Sequence, residues 1–150
     1  MEPLHNYWRM ADALRRFGGQ IEHQLQPFCA RHNVTPLQLN ILMVLYFEGP
    51  QTVTGLAKRA CMAGANNSAL CKKLEGEGRV TRARHTQDER QVVVSLSGGG
   101  RQLVEQLHAE YGPYLQVLQQ PQALQVLQQT LVGVEEILGL LTKNEEEDSI

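Results

Sequence analysis

The sequence predicts a mainly α-helical chain with one small β-hairpin, an α+β arrangement, and three observations carry that expectation. Apolar residues recur at helical spacing near both ends of the chain. Between them lie two short helical segments separated by a glycine-containing turn, the helix-turn-helix pattern. Directly after these, "RVTRAR" and the β-branched run "QVVVSL" flank the polar tip "HTQDER", as the two strands of a hairpin would.

Taken in order, Leu14, Phe17, Ile21, Leu25 and Phe28 form the stripe of one long amphipathic helix, which Gly18 and Gly19 weaken without erasing. "NVTPLQLNILMVLYFEG" then holds a complete helix start. Thr35 is the N-cap, Pro36 takes the first helical position, and Gln38 completes a capping box; Gly49-Pro50 ends the helix. A short helix is expected from about Thr54 to Cys61 with Thr54 as cap, "MAG" as the turn, and a second helix from about Ala65 to Glu77. Leu70, Cys71 and Leu74 share the inner face of that second helix, and Gly78 stands where a C-terminal cap belongs.

Beyond the hairpin, Ser97 is the expected N-cap of a helical region in which Leu103, Leu107, Tyr111, Tyr114 and Leu118 keep helical spacing, kinked or interrupted at Pro113. Leu124, Leu127, Leu131, Val134, Leu138 and Leu141 follow in alternating steps of three and four, a narrow seam of the kind that meets a partner helix. The acidic end, residues 144–150, has no stripe and is expected to fray.

Composition narrows the function. A chain of 150 residues suits one domain, and 42% hydrophobic with 20% charged residues is the balance of a soluble globular protein. No apolar run approaches the roughly 18 residues that span a bilayer. The first ten residues lack the basic and apolar regions of a secretory signal, so the chain reads as cytoplasmic, with no membrane partner and with reduced thiols. The net charge of −2 is uneven: residues 51–100 hold eight basic and four acidic residues, and the remainder carries −6. An acidic body with a basic middle points to a polyanion as partner.

Three cysteines, Cys29, Cys61 and Cys71, contain no CxxC pair, which argues against a disulfide framework or zinc site and for buried thiols, a redox switch being the alternative. The five histidines, at 5, 23, 32, 85 and 108, show no metal spacing. "SLSGGGRQL" places glycines between a strand and a helix, yet it contains neither phosphate-loop motif and no βαβ unit surrounds it. No catalytic set is recognisable, so neither an enzyme nor a cofactor is expected.

A helix-turn-helix followed at once by a hairpin is a winged helix, in which the second short helix enters the DNA major groove and the hairpin tip reaches backbone or minor groove. Asn66, Asn67 and Ser68 at the front of that helix are short polar groups able to reach base edges, although Asn66 or Asn67 could equally serve as its cap. Lys72 and Lys73, about a turn later, suit phosphate contact.

At this point the chain resembles a known family. "VTPLQLNILMVL", "TVTGLAKRA", "NNSALCKKLEGEGRVTR" and "QDERQVVVSLSGGGRQL" are similar to the successive motifs of the MarR family of bacterial transcriptional regulators, most specifically in Asp88-x-Arg90 followed by Leu96-Ser97 and Gly100. The resemblance implies a winged helix-turn-helix lobe over 34–100, flanked by dimerisation helices over 1–33 and 101–143. It implies Arg90 on the wing at the minor groove, Asp88 fixing the wing by pairing with an arginine, and Arg84 and His85 near the tip. It also implies a homodimer on palindromic double-stranded DNA, usually a repressor, released in many relatives by a small aromatic or lipophilic ligand. Tyr7, Trp8, Arg15, Arg16, Met43 and Tyr46 combine rings and guanidinium groups suited to such a ligand, with a plain core or interface role as the alternative for Trp8, Met43 and Tyr46. Within the recognition segment, Ala65 to Leu74, Asn67 and Ala69 depart from the family's commoner residues, so an operator sequence does not carry over. Those departures also keep open a winged-helix adaptor or antirepressor with little DNA binding. Gly98 and Gly99 weaken the first turn of the following helix, which makes the triple glycine a candidate hinge.

Overall fold

The computed structural model describes residues 1–60, 66–88 and 90–147, the side chains of 143–147 excepted. Cys61, the "MAG" turn, Ala65 and residues 148–150 therefore lie outside the described residues. The elements in order are α1 (Glu2–Arg31), α2 (Pro36–Glu48), β1 (Gln51–Thr52), α3 (Val53–Arg59), α4 (Asn66–Gly76), β2 (Val80–Arg84), β3 (Val92–Leu96), α5 (Gly98–Leu115), a 3₁₀ turn (Gln116–Gln119) and α6 (Pro121–Glu147). They divide into two compact units, one reaching Leu107 and one starting at His108.

In the first unit α2 is the centre. Its Leu39, Ile41, Leu42, Val44 and Leu45 are all buried, and around them close Phe28 of α1, Leu56 of α3, Leu74 of α4, Val80 of β2, Val94 of β3 and Leu103 and Leu107 of α5. A helix apolar on every side has to be surrounded. Its start is the predicted capping box: the Thr35 hydroxyl accepts from the Gln38 amide at 3.2 Å while the Gln38 side-chain oxygen accepts from the Thr35 amide at 2.8 Å. The bond returns a polar side chain to the backbone and lets Gln38 sit 1% exposed.

The hairpin strands pair from Val80 with Leu96 to Arg84 with Val92. A third strand, β1, pairs on the other side of β3, Gln51 with Val94 and Thr52 with Val93. At two residues β1 is too short to show an alternating pattern, and it moves the start of α3. The chain leaves β1 extended at Thr52, whose hydroxyl accepts from the Gly55 amide at 3.0 Å, so Thr52 and not Thr54 caps the helix.

The ends of the chain are more helical than the pattern indicated. α1 begins at Glu2, well ahead of its stripe, and α6 continues to Glu147 through a segment expected to fray. Lysine and glutamate favour helix on their own, and an exposed helix needs no apolar stripe to continue one already begun. α5 passes through Pro113 and ends at Leu115; the interruption is the 3₁₀ turn after it, from which α6 restarts at Pro121. Pro121 stands where a missing amide hydrogen costs nothing.

The triple glycine is a packing seam, not a hinge. α4 closes in a Schellman motif at Gly78 (φ 70°), the Arg79 amide donating to the Leu74 carbonyl and the Gly78 amide to the Glu75 carbonyl, each at 2.9 Å. α5 starts against that turn. The Ser97 amide donates to the Arg79 carbonyl at 3.1 Å, its hydroxyl donates to the Gly78 carbonyl at 2.6 Å, and the same hydroxyl accepts from the Gly100 amide at 3.1 Å. A Cβ on Gly99 would stand 2.7 Å from the Gly78 carbonyl oxygen, and one on Gly100 would strike the Arg79 carbonyl and Leu96, whereas Gly98 faces open space. Gly100→Ala is therefore expected to lower stability by about 1 to 3 kcal/mol, because the obstacle is backbone. Gly98→Ala is expected to be neutral or to stabilise by up to about 1 kcal/mol, and urea unfolding of the two variants checks the contrast.

Candidate nucleic-acid interface

Cys71 and Leu74 fasten α4 to the core, both essentially without exposure. The opposite side of the helix then faces outward. Asn66 and Ser68 in its first turn and Lys72 and Lys73 in its second are exposed, with only a loose approach of Lys73 Nζ to Glu77 at 3.9 Å. Asn67 is half-buried, and its side-chain oxygen has no hydrogen-bond partner among the described residues.

The wing tip is organised by Asp88 and His85. One Asp88 carboxylate oxygen accepts from the Arg90 amide at 3.0 Å, the other from the Gln91 side-chain amide at 3.3 Å, and the Asp88 carbonyl accepts from the Gln91 amide at 3.0 Å. The His85 ring accepts from the Gln87 amide at 3.2 Å through Nδ1. Asp88 thus shapes the wing, as the resemblance implied, but through the turn's own amides: among the described residues no arginine pairs with it. Arg84 and Arg90 project from the frame so formed, exposed and without an acidic partner among the described residues.

Other basic side chains of this third are engaged with groups of the protein itself. Arg59 grips Glu48 with Nε at 2.9 and 3.0 Å from its two carboxylate oxygens and with Nη2 as well, tying the end of α3 to the end of α2 and holding the Glu48 carboxyl below the usual carboxylate range. Arg79 donates to the His32 carbonyl at the end of α1 at 3.2 Å. Arg82 lies 3.5 Å from Glu75 with its side chain 16% exposed. Of the eight basic residues that a charge count lumps together, Lys58, Lys72, Lys73, Arg84 and Arg90 remain available to a polyanion. Sequence spacing carries no signal for that division, because the partners come from other elements.

Cys29 and Cys71 are buried free thiols, and burial pushes both up, against a Coulombic pull from Arg82 in the case of Cys71. A thiol raised in this way is a poor nucleophile. The residues named for a ligand are dispersed differently from their listing. Arg15 and Arg16 both reach Asp12, at 3.3 and 3.0 Å; Tyr7 and Trp8 are exposed on α1, the Trp8 ring 6.1 Å from His5. Met43 and Tyr46 are half-buried on α2, and the Tyr46 ring carries the Arg101 guanidinium 5.2 Å above its centre. Arg101, from the first turn of α5, is the cation that sequence reasoning missed. Among the described residues no group of His, Cys, Asp and Glu is placed to hold a metal ion, and no helix is long and apolar enough to cross a membrane.

A model of the MarR family matches residues 34–92, the stretch from the end of α1 through the wing tip. Over that stretch the chain is similar to the MarR family. The HTH-type transcriptional regulator TtmR of Methylorubrum extorquens is 38% identical over 74 residues, 49% of this chain and 38% of TtmR. The homoprotocatechuate degradative operon repressor of Escherichia coli is 24% identical over 122 residues, 81% of this chain and 82% of that protein. The chain thus spans about two fifths of the length of TtmR, and 60% of the length of two further curated regulators it matches. Among solved structures, NadR in complex with 4-hydroxyphenylacetate superposes with a TM-score of 0.72 at 23% identity, over 83% of this chain and 91% of that one. The fold is a winged helix, as in that structure.

Asp88→Ala is expected to free the Arg90 backbone amide and speed its hydrogen exchange severalfold, while the Gln91 backbone amide keeps its bond to the residue-88 carbonyl and global stability changes by less than about 1 kcal/mol, since only exposed hydrogen bonds are lost. Exchange read by NMR at residues 85–91 against amides of α2 checks it.

Proposed function

We propose that this protein is a transcriptional regulator that binds double-stranded DNA sequence-specifically, with α4 in the major groove and the wing at the adjacent minor groove. The observation that carries the reading is the joint exposure of two polar surfaces: Asn66, Ser68, Lys72 and Lys73 on α4, and Arg84 and Arg90 on a wing tip built to hold them out. Asn66 and Ser68 suit base edges, the lysines suit phosphates, and the wing arginines suit the narrow groove. Asn67, half-buried with an unsatisfied oxygen, joins the base-reading set only by turning outward. His85 contributes to DNA through its Nε2 hydrogen, its other nitrogen being used in the turn.

The acting species is a homodimer built from residues 1–33 and 101–143. Support comes from apolar surface that a lone chain leaves bare: Leu14 at 41%, Phe17 at 64%, Leu131 at 53% and Leu138 at 55% exposure. A two-fold dimer reads a palindrome with half-sites about one helical turn apart. The name of the Escherichia coli relative supports repression as the output. The aromatic acid held by NadR supports an aromatic effector, for which Tyr46 and Arg101 supply a ring and a cation in one place.

Selection from a random duplex pool is expected to recover a palindrome, and affinity for it to fall steeply between low and physiological salt. Absence of binding at low salt would overturn the reading. Arg90→Ala is expected to weaken binding to most duplexes by roughly 1 to 3 kcal/mol if its guanidinium enters a groove, measured by fluorescence anisotropy. Unchanged affinity would remove Arg90 from the interface.

A further inference from the structure

Arg82 belongs to the basic stretch, yet the strand turns it away from solvent. Along β2 burial alternates, Val80 buried, Thr81 exposed, Arg82 half-buried, Ala83 exposed, so Arg82 extends the inward row beyond Val80. It stands opposite Val94, which is fully buried at the middle of the sheet. Its guanidinium reaches Glu75 on α4, Nη1 to carboxylate at 3.5 Å, and lies close enough to Cys71, one turn earlier on the same helix, to act on its thiol. The arginine stem therefore packs along α4 while its head meets the acid at the helix's far end.

We infer that Arg82 and Glu75 form a strut between the two surfaces that would meet DNA. It sets the angle at which the wing departs from the recognition helix. Arg82 is then a positioning residue, and Glu75 aids DNA binding although it is an acid on a helix that faces a polyanion. The inference rests on the proposed DNA binding. Two elements that must enter neighbouring grooves together need their relative placement held closely, and a hairpin tip has little packing of its own to do it. Core contacts of Cys71 and Leu74 fix one side of α4, and the strut restrains it laterally against β2.

The sign of one substitution separates a strut from a stray acid. If Glu75 were only a negative charge near phosphates, Glu75→Gln would tighten binding; as half of the strut, it must weaken it. Affinity is measured for the full-length protein and for Glu75→Gln, Arg82→Gln and the exchanged pair Glu75→Arg with Arg82→Glu, across a range of salt. The probes are the duplex recovered from the random pool and a scrambled duplex of the same length. Thermal unfolding accompanies each variant, and Glu75, being exposed, carries the test should Arg82→Gln unfold.

Glu75→Gln is expected to lose about twofold to fivefold on the recovered duplex, the scale of a partly screened ion pair, without the same loss on the scrambled one. The exchanged pair is expected to regain most of that loss. Tighter or unchanged binding by Glu75→Gln overturns the strut. So does a salt dependence reduced by about one counterion in Arg82→Gln, because that would make Arg82 a phosphate contact. A wild-type protein that binds no duplex contradicts the proposed function instead, and shows itself before any variant is compared.

Discussion

The arrangement depends on one close approach of backbone to backbone, where the first turn of α5 rests on the turn between α4 and β2. Ser97 and Gly100 put a side-chain hydroxyl and a bare Cα against the carbonyls of Gly78 and Arg79. Both ends of the wing are thereby pinned at a single point, since β2 begins at Val80 and β3 ends at Leu96. α4 ends there too, through the Schellman turn at Gly78. Arg79 adds the end of α1 by donating to His32. Five elements, α1, α4, β2, β3 and α5, converge where no side chain larger than hydrogen would fit at Gly100.

From that anchor the site is built by division of labour among like residues. Arginines 59, 79 and 82 are engaged by a carboxylate, a carbonyl and a carboxylate, each on a different element. They set the placement of α3, the wing base and the wing against α2, α1 and α4 in turn. Arg84 and Arg90 remain outward, on a turn that Asp88 and His85 hold with their own hydrogen bonds. A guanidinium suits both tasks, because its planar donors lock onto an acceptor when buried and onto a phosphate or base edge when exposed.

Local chemistry made much of this legible in advance. The capping box of Thr35 and Gln38, the stop at Gly78, the Ser97 cap and the helical stripes are each decided within a few residues, so they survive folding unchanged. Misplacements arose where a distant segment intervened. Thr52 took the cap from Thr54 because β3 drew residues 51 and 52 into the sheet. Asp88 turned to nearby amides, and Gly99 and Gly100, flexible by composition, are packed against the backbone of Gly78 and Arg79.

The sequence by itself determined the helices and the hairpin, the MarR-like motifs over residues 34–92 and the outward placing of Asn66, Ser68, Lys72 and Lys73 on α4, since periodicity and capping are short-range effects. Only the tertiary structure decided which basic residues stay free, which glycines are obligatory and that Arg101 lies over Tyr46. The reason is physical: a charge or a bare Cα acquires its role from the group packed against it, and that group comes from elsewhere in the chain.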